Sequence, residues 1–422
     1  MEPIIADQIQ LEEDAEGVTL SCRLTGARLD LPARLWYCVP RQLASFVPLN
    51  GDPFLPVVML AGMKHGRDIV IESDVSDALL ASSRQIMSIL HAWSQRAGDD
   101  LAVVDVDAAT AARQRHGSAT GAFFSGGVDS FYTLLKNHRR YPADDSRLIS
   151  RLILLHGFDI RLDQADLFDL TYRHAREAAH AFGKELVPVK TNAHRVLEGL
   201  DWGKYAHGGV LAGAGLSLAG LFHTLFIAAS YHFFDLFPWA SHPAIDPLWS
   251  TEGLEFVHDG SEAARPEKVR FIASSPAALR SLRVCWENRE GAYNCGKCEK
   301  CLRTMMDLFL CGALERAEVF PKTIDLDAVA RLTPSPIARV FWRGTLERLR
   351  ASGADRTVVT AIERALEKGA WSESRIGRAD YAMWRQLSSW GLTPERMKRI
   401  DARLFRGNLV KWARHLQKRT AR

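Results

Sequence analysis

The spacing of hydrophobic and polar residues changes near Gly117, and this change divides the chain. Before Gly117, short apolar runs typical of strands alternate with Pro and Gly, and one segment after Ser76 repeats its apolar residues at helical spacing. The pattern predicts a small α+β domain over residues 1–116. We find no motif in it that indicates chemistry. The three strand-like runs lie at 18–20, 35–39 and 68–71.

From residue 117 to residue 320, segments typical of strands alternate with segments typical of helices. The strands are predicted at 120–124, 151–157 and 185–189, and the helices begin at 131 and 164. Strands that alternate with helices predict a parallel sheet with right-handed crossover connections. The sequence therefore indicates an α/β fold for this part of the chain.

One long stretch, 208–234, carries no formally charged residue and has two interpretations. A membrane span needs about 20 mainly apolar residues, whereas this stretch contains polar residues and several glycines. A helix of small residues followed by the apolar run 225–229 accounts for it better, because buried parallel strands read as continuous apolar runs. We expect a buried helix and a buried strand, and no membrane segment.

Residues 321–422 predict a charged, helical region. Its helices are predicted at 327–331, 337–350, 356–368 and 394–418. The last 29 residues contain ten Lys and Arg against two Asp and Glu, although the whole chain has a net charge of only +4. The positive charge of this helix is compatible with RNA as a partner. The alternative interpretation is that the helix docks on its own protein through an apolar face.

Composition narrows the class of protein further. The chain has 422 residues, of which 47% are hydrophobic and 25% charged, which excludes a mostly disordered, collagenous or coiled-coil chain. The first residues lack the basic and apolar regions of a secretory signal, so we expect a cytoplasmic protein. Seven cysteines, four of them closely spaced, indicate a metal site rather than a framework of disulfides.

A loop rich in glycine and serine joins the first predicted strand of the α/β region to its helix. Consecutive backbone N–H groups in such a loop converge on an anion at a helix N-terminus, and glycine lets the backbone approach phosphate oxygens closely. Asp129 cannot attract a bare phosphate, so we expect it to fix the loop or to help hold Mg²⁺. The candidate phosphate-binding residues are Ser125, Gly126, Gly127, Val128, Asp129 and Ser130.

Four cysteines, Cys285, Cys295, Cys298 and Cys301, lie within one short segment, 285–301. Four thiolates at these spacings suit a closed tetrahedral Zn²⁺ site, and a closed site is structural. An iron–sulfur cluster and unbound cysteines stay open as alternatives. Cys311 lies in an apolar run and is expected to serve packing.

The loop and the cysteines together carry a resemblance to a known family. Ser-Gly-Gly-Val-Asp-Ser matches the S-G-G-x-D-S signature of the PP-loop, or N-type, ATP pyrophosphatase superfamily. Paired with the four-cysteine cluster, which begins about 155 residues later and ends in a C-G-x-C-x-x-C element, it resembles the 7-cyano-7-deazaguanine synthase family over 117–314. The chain departs from that family at 156–159 and at 237–243. The resemblance implies a Rossmann-like sheet of the adenine nucleotide alpha hydrolase type, with ATP, Mg²⁺ and Zn²⁺ as cofactors.

The resemblance also implies a reaction. Enzymes of this superfamily transfer AMP to a carbonyl or carboxylate oxygen and release pyrophosphate, after which ammonia or an amine displaces AMP. By this resemblance Ser125, Asp129 and Ser130 are catalytic, and Arg265 and Lys268 belong to a second segment that contacts phosphate. A solvated charged helix is the alternative for that second segment. The implied protein is a ligase that acts on a small-molecule or peptide acceptor.

Other functions stay open at this point. A tRNA-modifying enzyme would use the basic C-terminal helix, and salt-dependent RNA binding would reveal it. A sulfur-transferring enzyme would need a catalytic thiol outside the four-cysteine set, and Cys311 is the one nearby. A nucleotide-binding module without turnover is the third alternative. A homodimer is left open as an assembly.

Overall fold

The computed structural model describes residues 2–26 and 29–372, which belong to two compact units. The first unit ends at Ile324, and the second begins at Asp325. The basic helix predicted at 394–418 lies outside the described residues, so its interpretation stays a prediction.

The first unit contains ten strands and nine helices among the described residues. The strands are β1 (Ile4–Glu13), β2 (Val18–Thr25), β3 (Arg34–Val39), β4 (Ile69–Val75), β5 (Val106–Thr110), β6 (Ala119–Phe123), β7 (Ile149–His156), β8 (Glu185–Thr191), β9 (Phe222–Ala228) and β10 (Glu255–Asp259). The helices are α1 (Leu55–His65), α2 (Asp77–Ala97), α3 (Val128–Arg140), α4 (Ala165–Ala181), α5 (Ala193–Val196), α6 (His207–Leu216), α7 (Arg265–Ile272), α8 (Pro276–Ser281) and α9 (Glu299–Leu310). Further helical turns lie at Arg41–Phe46, Trp202–Ala206, Phe233–Asp235, Asp246–Trp249, Arg289–Gly291 and Leu314–Arg316.

All ten strands of the described chain form one mixed sheet in the order β10-β9-β6-β7-β8-β3-β2-β1-β4-β5. Strands β6 to β10 are all parallel to one another, whereas β3, β2 and β1 pair antiparallel. The mostly parallel sheet confirms the α/β prediction. Membership of the Rossmann-like class stays a prediction.

The N-terminal strands continue the sheet of the α/β region. Strand β3 pairs with β8, with Tyr37 opposite Thr191 and Cys38 opposite Lys190. The domain boundary predicted between residues 116 and 117 therefore falls within the first compact unit, between β5 and β6.

Helices cover both faces of the sheet and enclose two hydrophobic cores. One core receives α1, α2 and α6, and the other receives α3, α4, α7, α8 and α9. Strand β7 shows how one strand serves both cores. Ile153 and Leu155 pack into the first core, while Leu152 and Leu154 pack into the second. Burial on both faces is the reason that this strand reads as a continuous apolar run.

The order of the parallel strands creates a crevice beside β6. The chain runs from β6 to β7 and β8 on one side, and then crosses to β9 and β10 on the other side. In open α/β sheets, ligands bind where the strand order reverses, outside the carboxyl ends of the strands. In this protein that point lies between the ends of β6 and β9, directly before the glycine-rich loop.

The uncharged stretch 208–234 contains most of α6 and all of β9, which confirms the predicted buried helix and strand. Among the described residues, no helix combines the length and the apolar character that a membrane crossing requires.

The second unit, as far as it is described, consists of three helices: α10 (Leu326–Arg331), α11 (Pro336–Ala351) and α12 (Arg356–Ser372). Two of them begin at side-chain caps. Asp325 accepts a hydrogen bond from the backbone N–H of Ala328 at 2.8 Å, and Ser335 accepts one from Ala338 at 3.2 Å. All three helices were predicted from the sequence.

Candidate functional site

The glycine-rich loop leaves the sheet at Phe123 and enters α3 at Val128. Gly126 has a φ of +72°, a left-handed conformation that favours glycine, and Gly127 caps the helix with a φ of −79°. The exposed Ser125 accepts a hydrogen bond from the Gly127 N–H at 3.3 Å through its Oγ. The loop thus presents the N-terminus of a 13-residue helix to the crevice.

The Ser130 hydroxyl is buried one turn inside α3. It donates a hydrogen bond to the carbonyl oxygen of Gly127 at 3.1 Å, so it stabilises the loop itself.

Asp129 lies on the first turn of α3 and binds two cations from α7. Its Oδ1 accepts a hydrogen bond from Lys268 Nζ at 3.1 Å, and its Oδ2 lies 3.7 Å from an Nη of Arg265. Burial raises the pKa of the Asp129 carboxyl, but attraction to Lys268, Arg265 and Lys300 outweighs burial, and the pKa is lowered. The carboxylate is therefore held in its charged form.

Helix α7 places both of its cations in the interior. Lys268 is 1% exposed and also donates a hydrogen bond to the carbonyl oxygen of Ala229, just after β9, at 2.5 Å. Arg265 is 7% exposed and donates to the Thr304 hydroxyl at 2.9 Å. The alternative interpretation of this segment as a solvated charged helix is therefore wrong.

Three further cations surround the loop, and the sequence did not single them out. Arg283 donates its backbone N–H to the carbonyl oxygen of Gly126 at 2.8 Å. Lys300 and Arg303 lie on the first turns of α9, with Arg303 paired to Glu299 at 3.0 Å. Burial lowers the pKa of Lys300, as do Arg265 and Arg303, whereas Asp159 and Asp129 act in the opposite direction. The crevice is consequently rich in positive charge.

The Nε atoms of Arg265 and Arg283 are buried and have no hydrogen-bond partner within the described part of the chain. A buried donor without a partner is costly, and a bound anion or water would satisfy it. These two donors are compatible with an anion bound near the loop.

A small pocket of about 50 Å³ opens beside the loop, at the carboxyl ends of β6 and β7. Its walls are mainly apolar, with Phe123 and Leu155 among them, and Ser125 and Asp159 are its polar residues. The Asp159 side chain is exposed. Such mainly apolar walls suit an uncharged group better than they suit a phosphate.

Several aromatic residues line the same edge of the sheet. They come from the turns after β7 and β9 and from the helical turn before α6. The ring centroids of Phe158 and Trp202 are 4.9 Å apart, those of Tyr231 and Phe237 are 4.5 Å apart, and Trp239 lies 5.6 Å from Tyr231.

The four predicted metal-binding cysteines come together. Their sulfur atoms all lie within 4.8 Å of one another, with 4.0 Å between Cys285 and Cys298 and 3.9 Å between Cys295 and Cys301. Four sulfurs bound to one zinc ion at tetrahedral positions would lie about 3.8 Å apart. The cluster is therefore compatible with zinc.

The local backbone is compatible with a metal ion bound by these cysteines. The N–H groups of Cys298 and Cys301 point at the sulfurs of Cys295 and Cys298, at 3.2 and 3.4 Å. Gly296 has a φ of +65°, which lets the chain turn between Cys295 and Cys298. Hydrogen bonds with Cys298 and Cys301 lower the pKa of the Cys285 thiol, and the contact with Cys285 raises the pKa of the Cys298 and Cys301 thiols.

A polynuclear iron–sulfur cluster fits this arrangement less well. In such a cluster the cysteines bind different iron atoms, so their sulfurs have to surround the whole cluster. The sulfurs of this chain are close enough to share a single ion.

Cys311 stands apart from the metal cysteines. It ends α9, ten residues after Cys301, which corresponds to about 15 Å along the helix axis. Its thiol contacts the carbonyl oxygen of Leu308 at 3.4 Å, and burial raises its pKa. These features favour packing over the sulfur-transfer role that stayed open.

Comparison of the chain with protein-family models, with curated proteins and with solved structures finds no match. The interpretation of this site therefore depends on its own residues and geometry.

Proposed function

We propose that the protein binds ATP at residues 125–130 and transfers AMP to a carbonyl or carboxylate oxygen of an acceptor, with release of pyrophosphate. One observation carries the proposal. A glycine-rich loop and a helix N-terminus lie at the reversal point of the sheet, with the buried cations Lys268 and Arg265 directly beside them. The resemblance of this loop to those of PP-loop enzymes supports it.

The chemistry requires stabilisation of negative charge that grows on the departing pyrophosphate. Backbone N–H groups of the loop, the positive end of the α3 dipole and nearby cations provide such stabilisation without rearrangement. The loop lacks the lysine that P-loop enzymes place between the β- and γ-phosphates. We therefore assign cleavage to the bond at the α-phosphorus.

In this proposal Asp129 orients the cations. Both of its carboxylate oxygens contact α7 side chains, which holds Lys268 and Arg265 beside the loop. Asp159 lines the pocket, and its carboxylate makes no hydrogen bond or ion pair with another described residue. Asp159 is thus the better placed of the two carboxylates to bind a magnesium ion that enters with ATP.

The aromatic residues at the same edge support an acceptor with a flat, unsaturated ring. Phe158, Tyr231 and Trp239 offer ring faces against which such an acceptor can stack. Ammonia or an amine would then displace AMP from the activated acceptor. The cysteine cluster would hold Zn²⁺ as a structural ion.

Product analysis tests the proposal. The protein is incubated with Mg²⁺, ammonia, ring-bearing carboxylic acids and ATP labelled at the α-phosphate, and the products are separated by chromatography. We expect labelled AMP together with pyrophosphate. Labelled ADP would contradict the proposed mechanism, and bound but unchanged ATP with every acceptor would favour a nucleotide-binding module.

A further inference from the structure

We infer that Lys300 contacts the phosphate groups of the bound nucleotide and that the four metal-binding cysteines set its position. The metal centre and the phosphate site would then be linked energetically. This inference rests on the proposed function to the extent that it takes the bound anion to be a nucleotide.

The position of Lys300 is the first step. It lies on the first turn of α9, between Cys298, which caps the helix, and Cys301. Its backbone carbonyl oxygen accepts a hydrogen bond from the Thr304 hydroxyl at 2.8 Å, and the same hydroxyl contacts Arg265, a residue of the proposed phosphate site. Lys300 therefore lies on the part of α9 that meets this site, although its backbone belongs to the metal-binding segment.

The orientation of α9 is the second step. Thr304 lies one turn after Lys300 on the same face of the helix, since residues four apart are neighbours on a helix surface. The Thr304 hydroxyl accepts a hydrogen bond from Arg265 at 2.9 Å, and Arg265 lies 3.7 Å from Asp129. This face of α9 is thus directed at the phosphate loop.

The third step concerns which of the nearby lysines can bind an arriving anion. Lys268 already donates hydrogen bonds to Asp129 and to the Ala229 carbonyl oxygen. Lys300 is half-buried, and its ammonium group has no hydrogen-bond or ion-pair partner among the residues that the structure describes. A cation that is partly removed from water and lacks a partner gains most from an arriving anion.

The connection to the metal is the fourth step. Arg283, two residues before Cys285, is hydrogen-bonded to Gly126 of the loop. The first turn of α9 contains Cys301 and begins at the Cys298 cap, so a shared metal ion fixes this turn. Loss of the ion would free Lys300 from its position.

The experiment compares two lysines that occupy equivalent places in the cysteine motif. Lys297 precedes Cys298 as Lys300 precedes Cys301, but Lys297 is exposed. Binding of inorganic pyrophosphate and of ATP, each with Mg²⁺, is measured by titration calorimetry on the full chain. We expect Lys300→Ala to weaken both ligands about tenfold, the size of one charged hydrogen bond, with unchanged metal content. Lys297→Ala should bind like wild type.

The second part of the binding experiment removes the metal with a chelator. Removal of the metal from the wild-type protein should weaken pyrophosphate binding about as much as Lys300→Ala does. The same treatment of Lys300→Ala should weaken binding much less, because the group that the metal positions is already absent. Circular dichroism of each sample shows whether the fold persists.

The outcomes separate the two proposals. Wild-type affinity of Lys300→Ala, or an equal loss in Lys297→Ala, would overturn the inference and leave the proposed function intact. Binding of pyrophosphate but not of ATP, with the Lys300→Ala loss retained, would support the inference and contradict the proposed function. Failure of wild type to bind either ligand would overturn both.

Discussion

Asp129 Oδ1 and Lys268 Nζ lie 3.1 Å apart and join the first turn of α3 to α7. Lys268 is 1% exposed, so its charge depends on this carboxylate for compensation. The pair connects the loop after β6 with the loop after β9 through the Ala229 carbonyl oxygen. Asp129 consequently compensates a buried charge, a role that the sequence motif alone does not reveal.

Asp129→Asn should therefore lower the free energy of unfolding as well as impair the site. The substitution leaves the ammonium of Lys268 buried without a counter-charge, which costs about 3 kcal/mol. Urea unfolding followed by fluorescence measures the change. Adding Lys268→Met should restore part of the lost stability, because the uncompensated charge is then removed. An unchanged urea midpoint for Asp129→Asn would show that the Asp129–Lys268 pair contributes nothing to the free energy of unfolding.

The same pair predicts a dependence of stability on pH. Because the pKa of Asp129 is lowered from its ordinary value of 3.8, its stabilising contribution is complete above that pH. The contribution is lost as the pH falls through the lower pKa of the folded state. The difference in unfolding free energy between wild type and Asp129→Asn should be constant near neutral pH and shrink below about pH 4. A difference that grows on acidification would contradict this assignment.

The two glycines of the loop should respond differently to substitution. Gly126 has a φ of +72°, so Gly126→Ala should destabilise the protein by about 1 kcal/mol through backbone strain. Gly127 has an ordinary φ of −79°, and a Cβ there would lie 3.2 Å from the Ser125 Oγ. Gly127→Val should keep the fold and lose ATP binding, because its side chain occupies the approach of a phosphate.

Thermal melting and ATP titration of these two variants give the test. Equal melting temperatures for Gly126→Ala and wild type would contradict the strain argument. Unchanged ATP affinity of Gly127→Val would contradict the placement of phosphate at this loop.

The purified protein should contain about one zinc ion per chain, since four sulfurs close its coordination sphere. Cys298→Ser should remove the ion and lower the melting temperature, because Cys298 both binds the metal and caps α9. Cys311→Ser is the matched control on the same helix and should retain zinc. Elemental analysis decides between zinc and iron, and iron with sulfide would refute the zinc assignment.

Much of the fold could be predicted from local patterns. Helix α2 could be predicted from its cap and its helical spacing. Strands β6, β7 and β8 could be predicted from apolar runs that are bounded by glycine. Helix α1 was missed for a physical reason. Nine of its eleven residues are buried, so no polar face interrupts its apolar sequence.

The site could be predicted in part. The glycine-rich loop and the four cysteines each lie in one short segment, so their motifs are visible in the sequence. The structure brings the four sulfurs together as predicted, whereas phosphate binding at the loop stays a prediction. Arg283 and Lys300 carry no motif of their own, and their role depends on the folding of the metal-binding segment against the loop. The sequence places both Lys297 and Lys300 between cysteines of the cluster, and only their burial in the fold distinguishes them.

The pairing of β3 with β8 limits how the protein can move. Because the N-terminal strands share one hydrogen-bonded sheet with β6 to β10, the two halves of the first unit cannot close over a ligand as hinged lobes. Access and closure at the crevice are left to the loops at the carboxyl ends of the strands. A chain beginning at residue 117 would expose the open edge of β8, and such an edge invites aggregation. The N-terminal half thus protects the sheet that carries the site.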